Sequence, residues 1–376
     1  MEFKPASISM KRFKALDVFR GLTICLMIVV NTPGDHSFTF SPLLHAKWHG
    51  FTPTDLVFPS FLFAVGNAFA FVKTRWGDKS LSEVFGKIVK RTLIIFLLGY
   101  LMYWIPFMSW TETGDLAMVP FSETRILGVL QRIALCYFMG AIMIYFLTNR
   151  QLLIGSGILL LGYWLLLYAF GDYTLEGNFV RTIDQFVFGD AHLYMGDGIP
   201  FDPEGLLSTL PAICNVIAGY LVGKYVIDGG VDFKKLAKML MVGTGLLIVA
   251  YFWDLGFPVN KKLWTSSFVV LTVGMDIILL SVLIYWIDLV RKPVNFNFFE
   301  IFGKNPLFIY LLSEYLAIGM HFVRVDGEQS LFNYIYEKGF SWIGHYFGSL
   351  AFALVFMLLC WAVGWWLNKK KIYIKV

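Results

Sequence analysis

The sequence predicts an all-α, polytopic membrane protein of about ten transmembrane helices, and three observations predict it. Of 376 residues, 57% are hydrophobic and 15% charged, against about 45–50% and about 25% in soluble chains. Apolar runs of about 20 residues, enough to cross a bilayer as a helix, recur along the whole length. The connections between them alternate between basic and acidic. With 18% aromatic residues and a mean hydropathy of +0.66, too little polar surface remains to coat a water-soluble fold. A soluble enzyme, a secreted disulfide scaffold and a disordered tail protein are excluded. Cys25, Cys136, Cys214 and Cys360 lie singly inside apolar runs and read as small buried hydrophobes, with no metal-ligand spacing.

Ten runs can be drawn, at 16–33, 55–72, 91–107, 126–147, 152–170, 205–223, 237–253, 266–288, 305–322 and 346–367. Of the 31 Lys and Arg, 22 fall before the first run, in the even-numbered connections and in the tail. Six (Lys47, Arg181, Lys261, Lys262, Arg324, Lys338) fall on the other side, and Arg20, Arg125 and Arg132 lie within or at the edge of runs. The positive-inside rule then puts both termini in the cytoplasm. The net charge of +5 is thereby a topological signal, not one for nucleic acid. The long connection 171–204 lies on the far side and is acidic, and residues 1–376 read as one membrane domain. No cleavable signal precedes the first run.

The polar residues inside these runs are the informative ones, because a bilayer penalises them. In the first run, Asp17, Arg20 and Asn31 lie near one helical face, with Asn31 about 16 Å beyond Arg20 at 1.5 Å per residue. They read either as an interfacial anchor with a helix cap or as a polar stripe crossing to the far side. In the fourth run Arg125 and Arg132 share a face, with Gln131 adjacent. Arg132 is held either by an anionic ligand or by Asp17, Asp55 or Glu314. Between the first two runs, His45-Ala-Lys-Trp48-His49-Gly50 precedes Thr52-Pro-Thr-Asp55. A histidine beside a membrane-edge asparagine suits general-base or nucleophilic acyl chemistry. Asp202, Glu204, Asp276, Glu314 and Asn305-Pro306 are further polar points.

The run RFKALDVFRGLTICLMIVVNTPG, with HAKWHGFTPTDLVFPSFLFAVGN after it, resembles the membrane region of the heparan-α-glucosaminide N-acetyltransferase family, within the transmembrane acyltransferase superfamily. RILGVLQRIALCY, HLYMGDGIPFDPEGLLSTLPAICN, PVNKKLWTSSFVV and GKNPLFIY continue the resemblance in order. It implies an enzyme that moves an acetyl group from cytosolic acetyl-CoA to a glucosamine amine across the membrane, with His45 as catalytic histidine (base or acetyl carrier) and Asn31 as catalytic asparagine. The far-side domain of the lysosomal enzyme has no counterpart in this sequence, which argues against a polysaccharide acceptor.

On that reading Asn31 donates to the tetrahedral oxyanion. Arg20, Arg125, Gln131, Arg132 and Asn305 are candidates to hold the coenzyme, with Arg20 and Arg132 on its phosphates at a cytoplasmic entrance. Trp48, Asp55, Asp202 and Glu204 are candidates to hold an aminosugar, Asp55 also to orient His45 or His49. The expected setting is a bacterial inner membrane, since Asn-x-Ser/Thr sequons are absent, with a homodimer implied by the resemblance and no metal. An inner-membrane transporter of an aminosugar is the alternative, since charges within broken helices also mark transport pathways.

Overall fold

The structure, a computed structural model, describes residues 14–74, 76–77, 79–111, 113–290, 296–325, 327 and 329–374. It is built from helices, with two short antiparallel hairpins at 108–118 and 324–330. Each of the ten expected runs is occupied by a helix: α1 (Lys14–Asn31), α2 (Val57–Lys73), α3 (Leu81–Trp104), α4 (Val129–Phe146) and α5 (Asn149–Phe170), then, after the short α6 (Phe179–Phe188), α7 (Thr209–Ile227), α8 (Phe233–Asp254) and α9 (Ser266–Ile284). The short α10 (Asn297–Lys304) leads into α11 (Pro306–Phe322), and α12 (Leu331–Gly339) into α13 (His345–Lys369).

Among the described residues, seven helices are long and apolar enough to cross a membrane: α2 with the turn before it, α4, α5, α7, α8, α9 with its continuation to Leu289, and α13. This establishes a multi-pass helical membrane protein. The other three expected spans are helices of a different kind. α1 carries Lys14, Asp17 and Arg20, α3 carries Glu83, Lys87, Lys90 and Arg91, and α11 is 17 residues long. α3 starts ten residues before its apolar run because Ser80 caps it, accepting from the Glu83 N–H at 3.3 Å, and Lys and Glu are good helix formers. Lys4, Lys11, Arg12, Arg75, Arg291, Lys292 and Lys375, used in the charge pattern, lie outside the described residues.

α2 packs on α7, α8 on α9, α1 on α10 and α3 on α4. The α2–α7 and α1–α10 pairs are backbone-close. A Cβ at Gly66 would run into the Val216 carbonyl, one at Gly219 into the Phe63 carbonyl, and Gly21 and Gly303 face the backbones of Phe299 and Asp17 in the same way. Small residues of this kind let membrane helices approach. The resulting core runs from Ala15 in α1 to Cys360 in α13, with Trp264, Tyr220 and Phe63 among its fully buried side chains. Asn31, at the end of α1, thereby faces the turns that connect α1 to α2.

Candidate functional site

Residues 33–56 form a compact segment of three 3₁₀ turns, the last of them (Pro53–Leu56) leading straight into α2. Asp55 is its anchor. One oxygen, Oδ2, accepts from the Thr52 N–H (3.0 Å), the Thr52 hydroxyl (3.0 Å) and the Ala46 N–H (3.2 Å). The other, Oδ1, accepts from Nδ1 of His45 at 2.7 Å. Asp55 is 0% exposed, and its position at a helix N-terminus favours its charge. A carboxylate only accepts, so Nδ1 carries the imidazole proton and Nε2 keeps its lone pair. Of the two histidines that Asp55 was expected to orient, it holds His45. His49 lies instead against Asn260, Nδ1 to Nδ2 3.4 Å.

His45 is half-exposed because it lines a cavity of about 630 Å³ together with Asn31, Asp55, Glu204, Lys261 and Glu314, within the usual size of a small-molecule site. A smaller opening of about 290 Å³ shares Asn31, Leu44, His45 and Glu314 with it. Two lobes therefore meet at Asn31 and His45. The Asn31 amide donates to Glu314 Oε1 at 3.1 Å, so one of its two N–H donors is engaged. Lys261 stands at His45, its Nζ 3.0 Å from Nδ1 and 3.1 Å from Nε2.

Arg125 is saturated with acceptors. It grips Asp202 with two parallel bonds (Nε–Oδ2 2.8 Å, Nη2–Oδ1 2.6 Å), reaches Glu204 at 2.7 Å, and lies between the rings of Tyr103 and Tyr194 at 4.9 and 4.8 Å. Burial pushes the Glu204 carboxyl upward, but Arg125, Arg132 and Lys261 outweigh it and hold Glu204 below its ordinary value. Asp202 is buried beneath this pair and does not line the cavity. Nearby on α6, Asp184 is 0% exposed; it accepts from the Leu206 N–H at 2.9 Å, and burial lifts its carboxyl to about 7.

The other expected site residues stand apart from this cavity. Arg132 is fully buried in the first turn of α4, bonded to Ser208 and to the Gly205 carbonyl (3.1 Å), with its guanidinium 4.8 Å over the Trp264 ring. That is the His45 end of the bundle. Arg20 is about 16 Å further along α1, against the Gly303 carbonyl (3.5 Å) and Asp17 (3.7 Å), so the two arginines do not form one entrance. Gln131 is buried and donates to the Ile126 carbonyl at 3.0 Å. Asn305 spends its amide on the tail, donating to Ile372 O (3.1 Å) and accepting from Ile374 N (2.8 Å). Trp48 donates to the Tyr173 carbonyl at 2.7 Å in a separate apolar cluster.

Lys261 and the Glu314–Asn31 bond were not anticipated as parts of the site. Lys261 belongs to a connection 216 residues from His45, where sequence spacing carries no signal.

A family model described as heparan-alpha-glucosaminide N-acetyltransferase, catalytic, matches residues 12–240, which include Asn31, His45, Asp55, Asp202 and Glu204. Human heparan-alpha-glucosaminide N-acetyltransferase is 27% identical over 368 residues, 80% of this chain and 52% of that protein. The mouse protein of that name is 26% identical over 373 residues, 82% and 54%. The chain spans about half the length of the curated relatives it matches.

Proposed function

Since the chain belongs to the heparan-α-glucosaminide N-acetyltransferase family, we propose that it is a membrane-embedded N-acetyltransferase that moves an acetyl group from acetyl-CoA to the amine of a glucosamine-type sugar. The observation that carries this reading is the Asp55–His45 pair, 2.7 Å apart, facing a two-lobed cavity in which Asn31 stands at the junction. Two lobes suit two substrates, a thioester arm in one and an amine in the other. Held side by side, they gain the proximity that makes a bimolecular transfer effectively unimolecular.

The acceptor nitrogen attacks the thioester carbonyl, and His45 Nε2 takes the proton it sheds. Asp55 keeps the opposite ring nitrogen protonated and steadies the imidazolium. The free N–H of Asn31 donates to the tetrahedral oxyanion, an interaction whose loss typically costs about 10²–10³ in rate. The C–S bond then breaks, the thiolate leaves with the proton held on His45, and an acetamido sugar and free coenzyme A remain. Glu314, already beside Asn31, is the carboxylate offered to the acceptor as it arrives; an acceptor arriving as an ammonium sheds one proton to solvent before its free amine attacks, and Asp202 is taken up by Arg125. The chain acts in a bacterial inner membrane, with the coenzyme on the cytoplasmic side.

The test uses the full chain in detergent with labelled acetyl-CoA and a panel of aminosugars. The expected result is an acetylated sugar with the wild type and about a 10³-fold or greater loss with His45→Ala, in line with removal of a general base. Labelled sugar uptake into proteoliposomes without any acetyl transfer would replace this reading with transport.

A further inference from the structure

The 260–265 turn is built to hold one side chain still. Asn260 Oδ1 accepts from the Leu263 N–H (2.8 Å), Asn260 N donates to the Thr265 hydroxyl (3.0 Å), and Trp264 N donates to the Lys261 carbonyl (3.0 Å). Trp264 takes a left-handed φ of 52°, a conformation a bulky residue adopts only when its surroundings over-determine it. They do: its indole N–H bonds Asn215 Oδ1 at 3.1 Å, and its ring lies between Phe58 and Arg132. The turn delivers Lys261 with 17% of its side chain exposed, 3.9 Å from Asp55 Oδ1 and against both nitrogens of His45.

We propose that Lys261 is a positioning residue of the reacting centre. Its ammonium, fixed against the imidazole of His45, disfavours a second positive charge there and so keeps that ring neutral until the acceptor's proton arrives, while Asp55 holds the proton on Nδ1. The inference rests on the reading of His45 as the base. An Asp–His pair alone would favour the imidazolium; a cation on the same ring opposes it. Burial is the leading cause that lowers the His45 pKa from its ordinary value; the Asp55 hydrogen bond comes next and raises it, and Lys261 then lowers it again, against smaller raising effects of the Asp55 and Glu204 charges. Burial brings Lys261 itself down to about 8, with Lys262 and Arg132 adding to the fall and Asp55 and Glu204 resisting it. The lysine therefore remains charged where the histidine titrates.

The other charged groups on this cavity wall are committed elsewhere or stand further off. Lys262 pairs with Asp197, Arg125 with Asp202 and Glu204, and Glu314 with Asn31. Lys47 is an exposed neighbour two residues along from His45.

The test follows carbethoxylation of His45 by diethyl pyrocarbonate, which reacts with neutral imidazole, in the full chain across the acid range, read at the His45 peptide by mass spectrometry. Replacing the ammonium by a neutral chain in Lys261→Met is expected to raise the midpoint of reactivity by about one pH unit or more. Lys261→Arg, which keeps the charge, holds the midpoint near the wild-type value, and Lys262→Met leaves it there. Lys261→Gln serves as a second neutral variant where Lys261→Met does not fold. An unmoved midpoint in the neutral variants overturns the inference, even in a chain that transfers acetyl groups. A raised midpoint in a chain that transfers none sinks the acetyltransferase reading and leaves the lysine's effect on His45 standing.

Discussion

Two cavities of nearly equal volume, about 630 and about 600 Å³, lie in this molecule and differ in every other respect. The larger is walled by turns and helix ends and carries acids, bases and amides in contact with one another. The other lies between α5, α7, α8 and α9, where Ser156, Tyr225 and Lys238 are the polar side chains in a lining of Leu, Val, Met and Ile. Helices of a bilayer protein bury polar groups only at a cost, so space alone is common and a dense set of interacting charges is not. The contrast teaches that volume does not single out a site in such a bundle; the concentration of paired polar groups at one end is what marks the candidate.

Several substitutions can break or sharpen that contrast. The largest effect expected beyond His45 itself is at Asn31: Asn31→Ala lowers kcat by about 10²–10³ through loss of an oxyanion donor, with acetyl-CoA affinity in a binding titration little changed. Asp55→Asn follows, with a loss of about 10² as the imidazole is freed to take the wrong tautomer, read as kcat in the same assay. The pH profile is a subtler discriminator. A His45 that serves as base must be neutral, and its folded pKa is lowered from 6.5, so transfer is expected to persist as the pH falls below that value and to be lost only as it falls through the depressed folded pKa. An acid limb at or above the ordinary histidine range would contradict this.

A fourth expectation concerns stability alone. The folded pKa of Asp184 is raised to about 7, above an unfolded carboxylate near 4. Its contribution is therefore fully present below the unfolded value and is lost as the pH rises through about 7. Thermal midpoints should fall over that window in the wild type and stay flatter in Asp184→Asn. Smallest is the effect in the apolar cavity: Val242→Phe should change transfer by less than about 2-fold, measured beside Asn31→Ala. A comparable loss there would erase the distinction between the two cavities.

The ten helices were legible because a bilayer makes composition local: each stretch must satisfy its backbone internally and be apolar enough by itself. The start of α3 was not, since a Ser80 cap and charged helix formers extend it beyond the apolar run. Asp55 and His45 could be joined from the sequence because they lie ten residues apart in one connection. Lys261 and His45, or Glu314 and Asn31, 283 residues apart, are brought together by helix packing that no periodicity records. The neighbours of Arg132 were hidden for a related reason. An arginine in an apolar run advertises a need for acceptors, and the acceptors turned out to be Ser208, the Gly205 carbonyl and the Trp264 face, contributed by segments remote in sequence.

The glycines at the α2–α7 contact give this arrangement a mechanical tolerance. Gly66 stands about 16 Å of helix from Asp55, yet it helps set the height of α2 against α7, and so the offset between the carboxylate that steers His45 and the segment carrying Glu204. Alanine at Gly66 or Gly219 would act as a shim between two machined faces, displacing one half of the centre relative to the other with every reacting group still present. Loss of activity at such positions would then measure misalignment, and the chain's most fragile dimension would be one that no ligand ever touches.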